Sequence, residues 1–245
     1  MHSNQQELVG TQDMDSTIEA INGSVSALSP EKQKEAKQTY AALQQLHTHF
    51  CQAEAANLQD SSDRHSPDYK LYKASHSLFL TEEIILQLHR CLLHDIHHGA
   101  GSYRQSPVAT LVPGLVASSM QSIIDQHNSL LHNMPDNAGV ADYVNLAAWL
   151  FLRFVSLHLF VDGNGRIGRL LASFTLMQVC PYPVSMLPLT DSQSPRDFYL
   201  DAIIRARAEG CRLLQPADLS TLLIENMWRG WCMVADTFAR QVTHP

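Results

Sequence analysis

The chain is short of positive charge and of charge altogether. Lys and Arg number 17 against 24 Asp and Glu in 245 residues, a formal net charge of −7, and charged residues make up 17% of the total. Proteins that grip nucleic-acid backbones are usually basic, so wholesale nucleic-acid binding is disfavoured, while a local basic site for one small anion is still allowed. Cysteine is scarce and poorly arranged for cross-linking. Cys51, Cys91, Cys180, Cys211 and Cys232 are odd in number, far apart and include no CxxC pair. That pattern argues against a disulfide frame or a zinc knuckle and for reduced thiols, and so for a cytoplasmic setting. A long uninterrupted hydrophobic run is also missing. The most apolar stretch, Val144 to Phe160, is broken by Asn145, Arg153, Ser156 and His158, and reads as a buried helix rather than a membrane span. Met1 to Ala20 is polar, unlike a signal peptide. Internal repeats and low-complexity tracts are absent as well.

What is present is a globular composition, 45% hydrophobic, on a chain long enough for one domain with a short extension. Helix signals dominate. Ser16 with Glu19 fits a capping box and Asn22-Gly23 a stop, which predicts a short helix over residues 15–23. Ser29-Pro30-Glu31 opens a second helix running to about Leu58, with Tyr40, Leu43, Leu46 and Phe50 spaced as one face. Thr81-Glu82-Glu83 opens a third, carrying Ile84, Ile85, Leu88 and Leu92 and ending at His97-His98-Gly99. The helical period is lost between Gly99 and Gly114, where Tyr103, Val108, Thr110 and Val112 suggest a short hairpin. Further helices are predicted at about 114–132, 140–157, 166–180, 195–209 and 217–240. The chain is therefore read as mostly α with one small β element.

Chemistry concentrates in His158-Leu159-Phe160-Val161-Asp162-Gly163-Asn164-Gly165-Arg166-Ile167-Gly168-Arg169, between two apolar helices. Gly163, Asn164 and Gly165 tolerate unusual backbone angles, so the chain can curl its N–H groups inward. Such a nest just before a helix N-terminus binds anions. Arg166 and Arg169 are three apart and share a face of the first helical turn, which suits more than one phosphate. A carboxylate at Asp162 fits that basic place if it holds Mg²⁺ beside phosphate oxygens. His158, at the end of the preceding helix, can take a proton near neutral pH. Leu159 and Phe160 are suited to pinning the loop to the core. Taken singly these are ordinary features: a glycine turn, a helix-end histidine, a solvated arginine face. Their convergence within twelve residues is harder to dismiss.

The stretch resembles the signature of the Fic (Fido) family, HxFx[DE]GNGRxxR. His158, Phe160, Asp162, Gly163, Asn164, Gly165, Arg166 and Arg169 all stand at its fixed positions, and Leu159 stands where the family often has Pro. Leu88-His89-Arg90 followed by Gly101-Ser102-Tyr103-Arg104 resembles the family's helix and flap. Phe198-Tyr199-Leu200-Asp201-Ala202 through Gly210 resembles its helix after the motif, with Phe198 in place of the first of two tyrosines. The resemblance spans about residues 80–225. It implies an all-α, Fic-type helical bundle with a small β-hairpin flap. Residues 76–240 would form the core domain, and residues 1–75 an N-terminal helical extension with an inhibitory helix at about 15–22.

The resemblance also implies an activity, transfer of AMP from ATP-Mg²⁺ to a Ser, Thr or Tyr hydroxyl of a target protein. His158 would be the general base and Asp162 the Mg²⁺ ligand. Gly163, Asn164 and Gly165 would hold phosphate oxygens, and Arg166 and Arg169 the departing pyrophosphate region. Gly101, Ser102, Tyr103 and Arg104 would belong to the flap that aligns the target. Asp15 to Ala20 resembles the family's inhibitory pattern with two departures, Asp15 and Ala20, which implies a Glu19–Arg169 pair; a plain capping box with Ser16 explains Glu19 equally simply. Sister readings stay open: removal of AMP, transfer of UMP, phosphate or phosphocholine, or nucleotide binding without transfer. A homodimer is compatible with the sequence; nucleic-acid and membrane partners are not expected.

Other residues invite function less strongly. His94, Asp95, His97 and His98 have helical metal-ligand spacing but no completing ligands nearby, and read as a polar helix end. His127 and His132 are expected on exposed helix faces. Trp149, Phe151 and Phe154 read as core, and Trp228 and Trp231 as packed on the bundle. Tyr199 suits either an adenine border or packing.

Overall fold

Residues that satisfy or dispense with backbone N–H groups set where the helices of this chain begin. A computed structural model describes residues 30–60, 79–107, 113–135, 137–180, 182–186, 195–208 and 216–243. Pro30 opens α1 (Pro30–Asp60), where its missing N–H costs no helical bond. Thr81 caps α2 (Glu82–Leu93), its hydroxyl accepting the Ile84 N–H at 3.3 Å. A 3₁₀ turn (Pro113–Leu115) leads into α3 (Val116–His132). The Asp142 carboxylate reaches back to the Gly139 N–H at 2.8 Å and starts α4 (Val140–Leu157). Three more helices follow, α5 (Asn164–Leu176), α6 (Pro195–Ala208) and α7 (Ala217–Thr243).

α4 is the axis of the bundle. It is apolar nearly all round, with Val144, Ala147, Ala148, Leu150, Phe151 and Phe154 fully buried. By length and composition it passes for a membrane span, yet protein surrounds it: α3, α5, α6 and α7 all pack against it. α5 comes closest. A Cβ at Gly168 would lie 3.0 Å from Phe151 Cδ2 and 3.0 Å from Val155 Cγ1, so only glycine lets the two helices meet at this distance. α1 packs on α2 and α5, placing Ala42 and Leu46 in the same core as α4. Salt bridging between Arg205 and Asp218 at 2.6 Å ties α6 to α7.

Several expectations need correcting. The helix predicted to reach His98 stops at Leu93; Ile96 and His97 turn their N–H groups back to the Leu93 carbonyl, and Asp95 adopts φ 56. No strand occurs among the described residues, and the hairpin positions Val108, Thr110 and Val112 lie outside them, as do Ser16, Glu19 and Gly210. Tyr40 is 41% exposed; of the expected stripe of α1, Leu46 is buried and Leu43 partly so, and Ala36 and Ala42 join them. His127 is fully buried, not on an exposed face. Its Nδ1 lies 3.2 Å from Asn128 Oδ1 and its Nε2 3.1 Å from Thr175 Oγ1. Trp228 and Trp231 are 67% and 53% exposed, with Trp231 meeting only the Tyr182 ring at 5.8 Å between centroids, because Leu219, Leu222 and Leu223 form the buried face of α7. The histidine cluster forms local contacts: His94 pairs with Asp95 at 3.1 Å, and His97 stacks on His98. Among the described residues, no three His, Cys, Asp or Glu are grouped to hold a metal.

Candidate active site

α4 ends where His158 turns left-handed, φ 54 and ψ 54. For a residue with a Cβ that conformation costs about 1–2 kcal/mol, so the surroundings must hold it. The N–H of His158 donates to the Phe154 carbonyl at 3.4 Å, and its carbonyl accepts from Arg104 Nη1 at 3.0 Å. Leu159 and Phe160 are then fully buried. The Phe160 ring stacks on His89, with 3.9 Å between centroids, and on Tyr103 at 5.4 Å. These apolar anchors fix the loop to the core as their residue types suggest.

The loop closes on itself through Asn164. Its amide accepts the Phe160 N–H at 2.9 Å and donates to the Phe160 carbonyl at 2.8 Å, and the residue is 3% exposed. The amide side chain is therefore committed inside the loop; what Asn164 offers an anion is its backbone N–H. Gly163 adopts φ 81, which a side chain would oppose, and its carbonyl receives the Ile167 N–H at 2.9 Å to start α5. The first-turn amides of α5 have no carbonyl four residues back within the helix, the condition for an anion site.

Around this turn the charges balance. The carboxylate of Asp162 accepts the Gly163 N–H through Oδ1 and pairs through Oδ2 with Arg166 Nη2 at 2.9 Å. On its other side Arg166 meets Glu35 of α1, Nη1 to Oε1 at 3.5 Å, with both side chains largely shielded. Arg169 lies with its guanidinium 5.8 Å from the centre of the Tyr199 ring. Burial pushes the Tyr199 phenol up from its ordinary range, while Arg169, which also hydrogen-bonds it, pulls the other way. Tyr199 is 6% exposed and also faces Phe151. It packs, and it steadies Arg169.

His89 of α2 fastens the loop from behind. The Gly101 N–H donates to its Nδ1 at 2.9 Å, so Nε2 carries the proton and donates to the Asp162 carbonyl at 3.0 Å. Burial holds this imidazole below its usual pKa, in keeping with a neutral ring. The flap residues divide. Ser102 is exposed, the Tyr103 hydroxyl donates to Glu82, and Arg104 is 8% exposed and turned toward the loop. Tyr103 and Arg104 thus face the motif.

Sequence reasoning found the loop but missed three of its supports. Glu35 carries no local signal, since nothing in its own helix distinguishes it from the other charged residues there. His89 gives no sign in its own helix of the two hydrogen bonds it makes across to Gly101 and Asp162. The internal use of the Asn164 amide follows only from the folded turn. As a Mg²⁺ site the donor set fits the ion's usual habit of one carboxylate plus substrate phosphates: Asp162 is 29% exposed, and its Oδ2 could exchange Arg166 for the metal.

The central helix of this bundle ends in a left-handed histidine, and a glycine turn opens the next helix. Residues 79–176 match the model of the Fic/DOC family. Through that segment the chain is similar to Fic/DOC family proteins. A Fido domain-containing protein of Dictyostelium discoideum is 33% identical over 90 residues, 34% of this chain and 59% of that protein. The protein adenylyltransferase Fic of Drosophila melanogaster is 34% identical over 119 residues, 44% of this chain but 22% of the fly protein. Matched regions thus span less than two thirds of the first relative and less than a quarter of the second. Among solved structures, Fic-1 from C. elegans shares the fold with a TM-score of 0.64 at 21% identity, covering 93% of this chain and 60% of that one. A Fic domain containing signaling protein from Bacteroides thetaiotaomicron gives 0.55 at 22% identity, covering 92% and 76%.

Proposed function

We propose that this chain transfers AMP from magnesium-bound ATP to a Ser, Thr or Tyr hydroxyl of a target protein. The observation that carries the reading is His158, held left-handed at the end of α4 beside the Asp162–Gly163 turn that opens α5. The family's name and the relatives named as adenylyltransferases support the same chemistry.

In this reading the acceptor hydroxyl oxygen attacks the α-phosphorus and the α–β bridging bond breaks. Pyrophosphate leaves, and a ring nitrogen of His158 takes the hydroxyl proton. First-turn amides of Asn164 and Gly165 receive phosphate oxygens, joined by the Gly163 N–H as the Asp162 carboxylate turns to the metal, and Arg166 and Arg169 neutralise the departing pyrophosphate. Asp162 would hold Mg²⁺, which when bound supplies charge neutralisation between neighbouring phosphates. Glu19 acts, in the same proposal, as a restraint on Arg169, so Glu19→Gly raises self-modification; unchanged incorporation would remove that part. The setting is cytoplasmic.

The donor test uses ATP labelled at the α- or the γ-phosphorus. AMP transfer deposits the α label and never the γ label. Deposition of the γ label would instead make the protein a phosphoryl transferase, and no deposition together with tight ATP binding would make it a nucleotide-binding regulator.

A further inference from the structure

Arg104 holds two consecutive carbonyls of the loop that carries His158. Its backbone N–H donates to the Leu159 carbonyl at 3.2 Å, and its Nη1 donates to the His158 carbonyl at 3.0 Å. At 8% exposure it has little left to offer a target protein. His158's own N–H bond, to Phe154, is long at 3.4 Å, so the left-handed backbone there is held chiefly from outside its helix. The carbonyl and the imidazole stem share one Cα. If the peptide after His158 relaxes to ordinary angles, the carbonyl swings off the guanidinium and the ring moves with it. The anion-binding turn has separate ties, through the Asn164 clasp on Phe160 and the His89 bond to Asp162.

We infer that Arg104 is a positioning residue for His158: its guanidinium fixes the backbone from which the imidazole projects. This deepens the transfer reading and rests on it. The charged fork suits the task, because a carbonyl accepting from a cation is held more firmly than one accepting from a neutral donor.

The test compares wild type with Arg104→Ala and Arg104→Lys in the full chain. Transfer by Arg104→Ala falls roughly 100-fold, the loss typical of a reacting group displaced by about an ångström, while ATP affinity is unchanged. Added guanidinium ion restores part of that rate in Arg104→Ala and none in His158→Ala. A second readout needs no transfer at all. The imidazole NMR signal of His158, assigned by its loss in His158→Gln, shifts or broadens in Arg104→Ala and returns toward its wild-type position in Arg104→Lys. If wild type transfers nothing, the adenylyltransferase reading fails, while the NMR signal still decides the role of Arg104. A His158 signal identical in all three proteins overturns the inference. So does a parallel loss of ATP binding, which would mean that Arg104 merely supports the fold. Should Arg104→Ala fail to fold, Arg104→Met decides: it keeps the bulk but not the donor, so a shifted His158 signal supports the inference and an unmoved one, with full activity, refutes it.

Discussion

At the residue scale, two histidines sit in places that cost stability for opposite reasons. His158 takes left-handed backbone angles that glycine adopts freely. His158→Gly therefore raises unfolding stability by about 1 kcal/mol while abolishing transfer, a trade expected of a strained functional position. Urea denaturation of both proteins checks it, and a less stable glycine variant would show that the His158 side chain holds more than the backbone angles cost. His127 is buried without charge. Asn128 is oriented by its two bonds to Leu80, 3.0 Å and 2.8 Å, so its Oδ1 accepts and His127 Nδ1 must donate. Burial lowers its pKa from 6.5 to about 4. The unfolded chain therefore binds the proton first. The stabilisation is complete above pH 6.5 and is lost as pH falls toward about 4, with about 2 kcal/mol gone by pH 5. His127→Gln should lack this component, measured as the difference in unfolding free energy between pH 7.5 and pH 5; equal pH dependence would contradict the assignment.

At the scale of elements, the α4–α5 pair and the α1–α5 contact make different predictions. Gly168→Ala forces a methyl against Phe151 and Val155 at 3.0 Å. Both are buried and have little room to retreat, so it destabilises by about 1–2 kcal/mol. A melting temperature equal to wild type would mean the helices part more easily than their packing suggests. Glu35 brings a second carboxylate to Arg166. If the proposed anion site is as described, Glu35→Gln removes a negative charge beside it and tightens pyrophosphate binding roughly 10-fold, equivalent to about 1.4 kcal/mol. Calorimetric titration reads this directly; weaker binding would mean that Glu35 serves to orient Arg166 instead. These elements also show what was legible in the sequence. Helix starts at Pro30 and Thr81 follow from the capping chemistry of single residues. The end of α2 at Leu93 does not, because the turn at Asp95 depends on carbonyl bonds made after the helix stops. On α1 the expected stripe holds at Leu43 and Leu46 and fails at Tyr40, because helical spacing does not say how far round the helix its neighbours reach.

At the scale of the molecule, one buried helix organises everything. α4 carries the core and leads directly into His158, and the turn after it holds the proposed anion site, so the core helix and the proposed chemistry adjoin. That is why the site loop could be read from sequence while its supports could not. His158 to Arg169 are contiguous, whereas Glu35, His89, Arg104 and Tyr199 arrive from four separate segments. Long-range placement of that kind leaves no periodicity or spacing to read. The exposed face of α7, with Ile224 and Trp228 largely in solvent, follows a related rule: helical spacing gives a stripe but not which stripe the bundle covers.

The most direct measurement of the central claim is intact mass after incubation with ATP and Mg²⁺, run on wild type and His158→Ala beside ATP-binding titrations of each. The wild type gains the mass of one or more AMP groups, and His158→Ala gains none while binding ATP as tightly. Equal gain in both proteins, or loss of ATP binding along with the modification, would contradict the assignment of His158 as the base.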